Sequence, residues 1–275
     1  MRIIRYEDRN GKIHHAADQQ NGGSFLRVDG GLFGNFELTQ EAADIKRILA
    51  PIAPVMIWCI GQNYRQHAEE VGIDIGEYPV VFAKGVNAIQ HPDGPIVLPV
   101  VARSAEVDYE AELVVIIGRR CKEVSRDDAL QYVAGYTCGN DVSARDWQLK
   151  KGGTQWSRGK SFDTFAPLGP CLVTPDSLPN TNALRIGTTV NGRVQQDGNT
   201  SDMIRGVPEI IEFLSQSTTL LPGTAIFTGT PHGVAMAQDP PAWLKEGDEV
   251  RVTIEGIGTL CNHVGSFADG DLSAT

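Results

Sequence analysis

The 275-residue chain carries 24 Lys and Arg against 34 Asp and Glu, a formal net charge of −10, with 41% hydrophobic and 21% charged residues. A chain of this length buries a core without staples, and this composition excludes a disordered protein. The acidic balance, with no Lys/Arg-rich run, argues against nucleic acid or an anionic membrane as the main partner.

The N-terminus, MRIIRYEDRNGKIHH, has no apolar leader-like run, and no segment approaches the ~20 apolar residues of a membrane span, so a cytoplasmic protein is expected. Residues 1–50 form a candidate small N-terminal domain. MRIIRYE and GKIHHAA alternate around an Arg-Asn-Gly turn as a hairpin does, and SFLRVDGGLFGNFELT adds further short strands. The spacing of Ala42, Ile45, Ile48 and Leu49 predicts a helix over 40–50. Pro51 and Pro54 then mark the boundary with a second domain, 51–275.

That second part reads as mostly strands: VMIWCIG, PVVFAKG, ELVVIIG, ALRIGTTVNG, TAIFTGT and EVRVTIEGIGTLCNHV, separated by Gly/Pro turns. A short helix is expected at 61-GQNYRQHAEEVG-72, capped by Asn63 with Gln66 and ended by Gly72. Others are expected after Ser125 and Asp128, and at PEIIEFLSQ with Pro208 in its first turn. The strand–helix rhythm of a doubly wound sheet is missing, so the fold class is α+β and β-rich. The five cysteines are scattered and contain no C-x-x-C pair, which predicts buried reduced thiols rather than disulfides or a zinc site.

The chemistry concentrates at 107-VDYEAELVVIIG-118, where three carboxylates head an apolar run. On a strand Glu110 and Glu112 project together, about 7 Å apart, while Tyr109, Ala111 and Leu113 face the other way. A solvated strand edge is the bland reading of such a pair. Against it, Leu113–Ile117 is apolar on both faces, and burying unpaired carboxylates beside it costs several kcal/mol. Asp141, in GNDVSARDWQ, follows a strand-like segment where a loop can aim a short carboxylate. Three carboxylates with no soft ligand suit a hard ion, Mg²⁺ or Mn²⁺.

VDYEAEL, GNDVSARDWQ, RGKSFDTFAPLGP, TVNG and IFTGTPHGV, in this order over roughly residues 55–265, resemble the fumarylacetoacetate hydrolase superfamily. The longer form at 146–170 is similar to the domain-containing group that includes oxaloacetate tautomerases. The resemblance implies a mixed β-sandwich roll, usually a homodimer, with Glu110, Glu112 and Asp141 as ligands of Mg²⁺ or Mn²⁺.

His67 and Glu70 are i, i+3 neighbours, an arrangement most often found as a solvated surface pair. The resemblance assigns them instead as a general base and its orienter on a lid, with Glu69 a bystander. A divalent ion and three carboxylates sum to one negative charge, so an anionic substrate needs another cation, and Lys160 is the family candidate. Gln148, Gly229, Thr230 and Lys84 are candidate substrate-binding residues, although Lys84 precedes Gly85 where the family pattern has proline. Arg145 and Asp146 are expected to form internal ion pairs.

The implied activity is metal-dependent chemistry on an enolisable 2-oxo or 2,4-dioxo acid. Carbon–carbon hydrolysis of an acylpyruvate-type substrate is placed first, followed by oxaloacetate keto–enol tautomerisation or decarboxylation. A catalytically silent binding protein is the alternative of a different class.

Overall fold

The computed structural model describes residues 1–18, 24–153 and 155–265. Strands β1 (Arg2–Glu7), β2 (Ile13–Asp18), β3 (Leu26–Gly30), β4 (Phe36–Ala42) and β5 (Arg47–Leu49) make up the N-terminal part. Then follow β6 (Met56–Gly61), helix α1 (Arg65–Glu70), β7 (Val80–Lys84), β8 (Ile89–Gln90), β9 (Pro95–Val97), β10 (Val107–Asp108) and β11 (Ala111–Ile117). Next come β12 (Val133–Asn140), β13 (Ser143–Ala144), α2 (Ser157–Lys160), β14 (Ala166–Val173), β15 (Arg185–Val190) and β16 (Arg193–Asn199). The chain closes with α3 (Val207–Ser215), β17 (Thr224–Phe227), β18 (Glu249–Ile254) and β19 (Gly258–Gly265).

The order β4-β3-β2-β1-β14-β12-β11-β17-β6-β7 forms the main path of one large sheet, with β5 on β1 and β8 on β14. A second sheet runs β16-β15-β18-β19-β9. This is the β-rich α+β architecture expected. The first hairpin is present, with Arg2 to Glu7 paired to Asp18 to Ile13. β1 also pairs with β14 through Arg2↔Val173 and Ile3↔Leu172, so the N-terminal strands continue the main sheet.

β11 explains why two cores exist. All seven of its residues are buried. Leu113, Val115 and Ile117 face a core shared with Ile186, Val252 and Ile254 of the second sheet and with the apolar stripe of α3. Val114 and Ile116 face another core, with Ile57, Leu168, Phe165 and Phe227. A strand covered on both faces is expected to be apolar, as this one is except at Glu112. The alternation stops before Ala111: Tyr109 belongs with Val114 and Ile116 rather than with Ala111 and Leu113, because the chain leaves strand geometry at Tyr109 and Glu110.

Three expectations are corrected. Residues 40–50 are not a helix. Ala42 pairs with Leu26 on β3, and Arg47 to Leu49 pair with β1. From Ala43 to Lys46 burial alternates with a period of two, so sheet pairing overrides the helical reading. After Asp128 only a 3₁₀ turn, Ala129–Tyr132, forms before the chain enters β12. Asn63 does not cap α1. Tyr64 holds that position, and the first-turn N–H of Gln66 donates to Asp202 Oδ2 at 3.0 Å. Asn63 instead ties two loops, donating to Arg205 O and Thr228 O at 2.9 and 2.8 Å. Gly72, at φ +67°, follows the helix end as expected. α3 forms with Pro208 in its first turn and buries Val207, Ile210, Ile211 and Leu214. The cysteines are all free, four buried and Cys261 partly exposed.

Candidate active site

β11 brings Glu112 to the sheet centre, with Glu110 just before it. β12, its antiparallel neighbour, ends at Asn140, and Asp141 follows. Hydrogen bonds lock this junction: Asp141 N–H donates to Glu110 O and Glu110 N–H to Asn140 Oδ1. One carboxylate oxygen from each of Glu110, Glu112 and Asp141 lies within 4.8 Å of the others, and all three residues are buried.

Cations surround two of the three. Lys160 Nζ donates to Glu110 Oε2 at 2.6 Å and to Asp141 Oδ2 at 2.7 Å. Lys84 Nζ donates to the other Asp141 oxygen and to Val142 O, and its side chain is wholly buried. Arg145 bridges Asp108 Oδ2 at 2.9 Å and Glu110 Oε1 at 2.7 Å, and donates through Nη1 to Gln148 Oε1. Four carboxylates therefore face three cations.

The fourth carboxylate is Glu112. Among the described residues it forms no ion pair, and its hydrogen bond comes from the Gly229 N–H at 2.7 Å. Gly229 sits at φ +102°, and a β-carbon there would fall 2.8 Å from Asn63 Cβ, so only glycine allows this approach.

The electrostatics follow from that imbalance. Burial and the charges of Asp141 and Glu110 push the Glu112 carboxyl well above the usual carboxylate range. Burial acts the same way on Glu110, but Lys160 and Arg145 outweigh it and hold that carboxyl well below the range. Lys160 is raised, because Asp141 and Glu110 together overcome its desolvation. Lys84, with Asp141 alone, is lowered by burial.

The donor set is all carboxylate oxygen, one member has no countercharge, and the three converge. These residues fit a hard divalent cation.

α2 supplies Lys160. Its Gly159 packs so closely on the preceding π-helical turn, Trp147–Lys151, that a β-carbon would lie 2.5 Å from Gln148 N. The same close contact puts Gln148 in the cavity wall, with Arg145, Lys160, Trp156 and Thr230.

α1 supplies the other half of the site. His67 lines the same cavity, and its Nδ1 lies 3.1 Å from Glu70 Oε2. Glu70 Oε1 accepts the Gly233 N–H at 2.9 Å. Partial burial works to raise the Glu70 carboxyl, but the hydrogen bonds from His67 and Gly233 outweigh it and hold it below its ordinary value. Glu69 is exposed.

The remaining candidates are placed as follows. The N–H of Gly229, a candidate substrate-binding residue, is committed to Glu112. Thr230 lines the cavity, and its Oγ1 accepts from Gln196 Nε2. Lys84 lies behind Asp141 rather than in the cavity wall, and it holds the Asp141 carboxylate in place. Asp146 pairs with Lys151, as an internal pair should. Arg145 does more than its expected internal pairing, because it also lines the cavity. Sequence reasoning missed Asp108, which is fully buried and accepts from Arg145, Ala235 N–H and Met236 N–H. Its place among the three carboxylates of DYEAE was the available signal. Of the four tryptophans only Trp156 reaches the cavity; Trp58, Trp147 and Trp243 pack partly buried against the cores.

A family model described as "Fumarylacetoacetate (FAA) hydrolase C-terminal" matches residues 56–265. The chain belongs to the fumarylacetoacetate hydrolase family. It is 50% identical over 227 residues to the "Fumarylacetoacetate hydrolase domain-containing protein 2 homolog" of Dictyostelium discoideum, covering 79% of this chain and 74% of that one. It is 45% identical over 217 residues to the mitochondrial oxaloacetate tautomerase FAHD2A of Homo sapiens, covering 78% and 68%. A crystal structure of 5-carboxymethyl-2-hydroxymuconate delta-isomerase from Mycobacterium smegmatis superposes with a TM-score of 0.84 at 37% identity, covering 97% of this chain and 100% of that one. The chain is an enzyme of this family, a hydrolase or an isomerase, rather than a silent binding protein. No helix among the described residues is long and apolar enough to cross a membrane.

Proposed function

We propose that the protein interconverts the keto and enol forms of oxaloacetate or a closely related 2-oxo diacid, using Mg²⁺ or Mn²⁺ held by Glu110, Glu112 and Asp141. One observation carries the proposal: a carboxylate cluster that lacks one positive charge opens into the cavity that His67 lines. A divalent ion there supplies Lewis-acid stabilisation of negative charge on the 2-oxo oxygen. Lys160 and Arg145 keep Glu110 ionised and add positive charge at the cavity wall, which suits an anionic substrate. Glu70 accepts at His67 Nδ1, which fixes the proton on that nitrogen and leaves Nε2 as the base. Nε2 takes a proton from the carbon beside the 2-oxo group, and the imidazolium returns it to oxygen, giving the enol. The reverse sequence gives the ketone. No carbon–carbon σ bond is broken: C–H and the C=O π bond are exchanged for O–H and a C=C π bond.

The family resemblance, with its intact His67–Glu70 spacing, placed carbon–carbon hydrolysis first. The relatives named as oxaloacetate tautomerases move tautomerisation ahead of it. Hydrolysis stays as the second reading because the same His67–Glu70 pair can activate water on a distal carbonyl. The deciding experiment follows ultraviolet loss of the enol of oxaloacetate alongside pyruvate release, with Mg²⁺ or chelator, and repeats it with acylpyruvates and fumarylpyruvate. Enol loss with no pyruvate supports the tautomerase. Pyruvate release from an acylpyruvate, with no effect on oxaloacetate, overturns it.

Three further readings belong to the proposal. A homodimer is expected by family and is checked by light scattering. A cytoplasmic location is kept, although the human relative is named mitochondrial, and fractionation decides it. The 1–50 and 51–275 division stays a proposal: the family match begins at residue 56, while β1 pairs with β14 of the main sheet, and folding of residues 51–275 on their own tests it.

A further inference from the structure

The loop from Gly229 to Gln238 touches both halves of the site. Gly233 N–H holds one oxygen of Glu70 while the other faces His67. The Gly233 carbonyl lies 3.2 Å from Tyr109 Oη, which donates to it. The same hydroxyl lies 3.3 Å from Gln195 Oε1 and accepts from Gln238 Nε2 at 2.9 Å. Gln238 Nε2 also donates to Gln195 Oε1 at 2.8 Å, which closes the group. Tyr109 is fully buried and directly precedes Glu110.

The Tyr109 hydroxyl finds partners on three residues, and phenylalanine would fill the same space while losing every one of these bonds. We infer that Tyr109 is a positioning residue for proton transfer: through Gly233 it fixes Glu70, and thereby His67, in register with the carboxylate that follows it in the chain. The inference rests on the assignment of His67–Glu70 as the proton-transfer pair. Its physical content is that one rigid stretch, Asp108 to Glu112, sets both the carboxylate cluster and the carboxylate that orients the base. A base displaced by about 1 Å loses on the order of a hundredfold in rate, so such a shared anchor matters. Asp108 anchors the same loop, but it also holds Arg145, so its substitution would disturb both halves at once. Tyr109 offers the cleaner test. Among the described residues, Glu110 from the strand head lies within electrostatic reach of His67, and His232 from the loop within reach of Glu70.

The experiment uses the full chain with Mg²⁺. In Tyr109→Phe, turnover of the oxaloacetate enol should fall about tenfold. Oxalate affinity and Mg²⁺ affinity should stay within about twofold, and the acidic limb of the pH–rate profile should move. In a Glu70→Ala background, Tyr109→Phe should change turnover by less than about twofold, because the route through Gly233 has lost its end point. Gln238→Ala, at the edge of the group, should move the same limb by a smaller amount and serves if Tyr109→Phe fails to fold. Equal losses in the two backgrounds, or an unmoved pH limb in both variants, overturn the inference. If Glu70→Ala alone leaves turnover intact, the base assignment fails first and takes the inference with it.

Discussion

The two halves of the site are built on opposite physical plans. The carboxylate half sits between two cores, its side chains 0–6% exposed and cross-linked by short bonds to Lys84, Lys160 and Arg145. The base half rides on a helix of six residues, with the Glu70 side chain 23% exposed, and is steadied by the Gly233 N–H, which donates to Glu70, and by the Asp202 carboxylate, which accepts from the Gln66 N–H. The first half is fixed by charge in a dry environment, where removing one partner strands another. The second is fixed by a few hydrogen bonds near solvent, where removal costs little stability and much geometry. Substitutions should therefore separate cleanly: those in the carboxylate half unsettle fold and activity together, those in the base half activity alone.

The largest effect should come from Glu110→Gln. It leaves Lys160 and Arg145 facing one fewer charge inside the protein, which costs about 3 kcal/mol or more in chemical denaturation and abolishes metal-dependent turnover. Unchanged stability would mean that the buried ion pairs contribute less than their geometry implies. Next, His67→Asn should lower turnover by about 10²–10⁴ while thermal unfolding and Mg²⁺ affinity hardly move. A large drop in unfolding temperature would erase the contrast between the halves. Mg²⁺ or Mn²⁺ at about a hundred times its dissociation constant should add about 2.7 kcal/mol to stability, reversed by chelator, because Glu112 gains the countercharge it lacks. That gain should vanish in Glu112→Gln and persist in His67→Asn. The smallest effect concerns Glu70. Its carboxyl is depressed in the folded state, so the stability it adds is complete above the unfolded value and is lost as pH falls through the folded one. Solvent screening keeps the loss below ~1 kcal/mol. Comparing wild type with Glu70→Gln in denaturation between neutral pH and pH 3 would resolve it.

Much of this was legible in the sequence where local pattern and tertiary need agree. The apolar run of β11, flanked by Glu110 and Glu112, announced a strand with buried acids at its head. Asp141 at the end of β12 was readable because a Gly-Asn step leaves a strand there. What stayed hidden depends on distant partners. Residues 166–173, with Pro167 and Pro170, resemble a loop, yet they pair with β12, β1 and β8. Lys84 looked like a substrate lysine because depth behind another side chain leaves no trace in local sequence. Asn63 looked like a helix cap, since nothing nearby in the chain shows that Arg205 and Thr228 claim its amide. Asp108 and Tyr109 were hidden for the same reason: Asp108 is claimed by Arg145, 37 residues on, and by the Ala235 N–H, and Tyr109 by Gln195 and Gly233, all far along the chain.

The pairing of β1 with β14 has a practical consequence. The family match starts at residue 56, which invites a shortened chain beginning there, yet the sheet does not end where the family does. Cutting away the first strands would bare the Leu172–Val173 flank, with main-chain donors and acceptors that have only water or another molecule to satisfy them. Such a flank recruits strands from neighbouring molecules. The trimmed protein would therefore be expected to clump while its candidate site residues, all further along the chain, remained present.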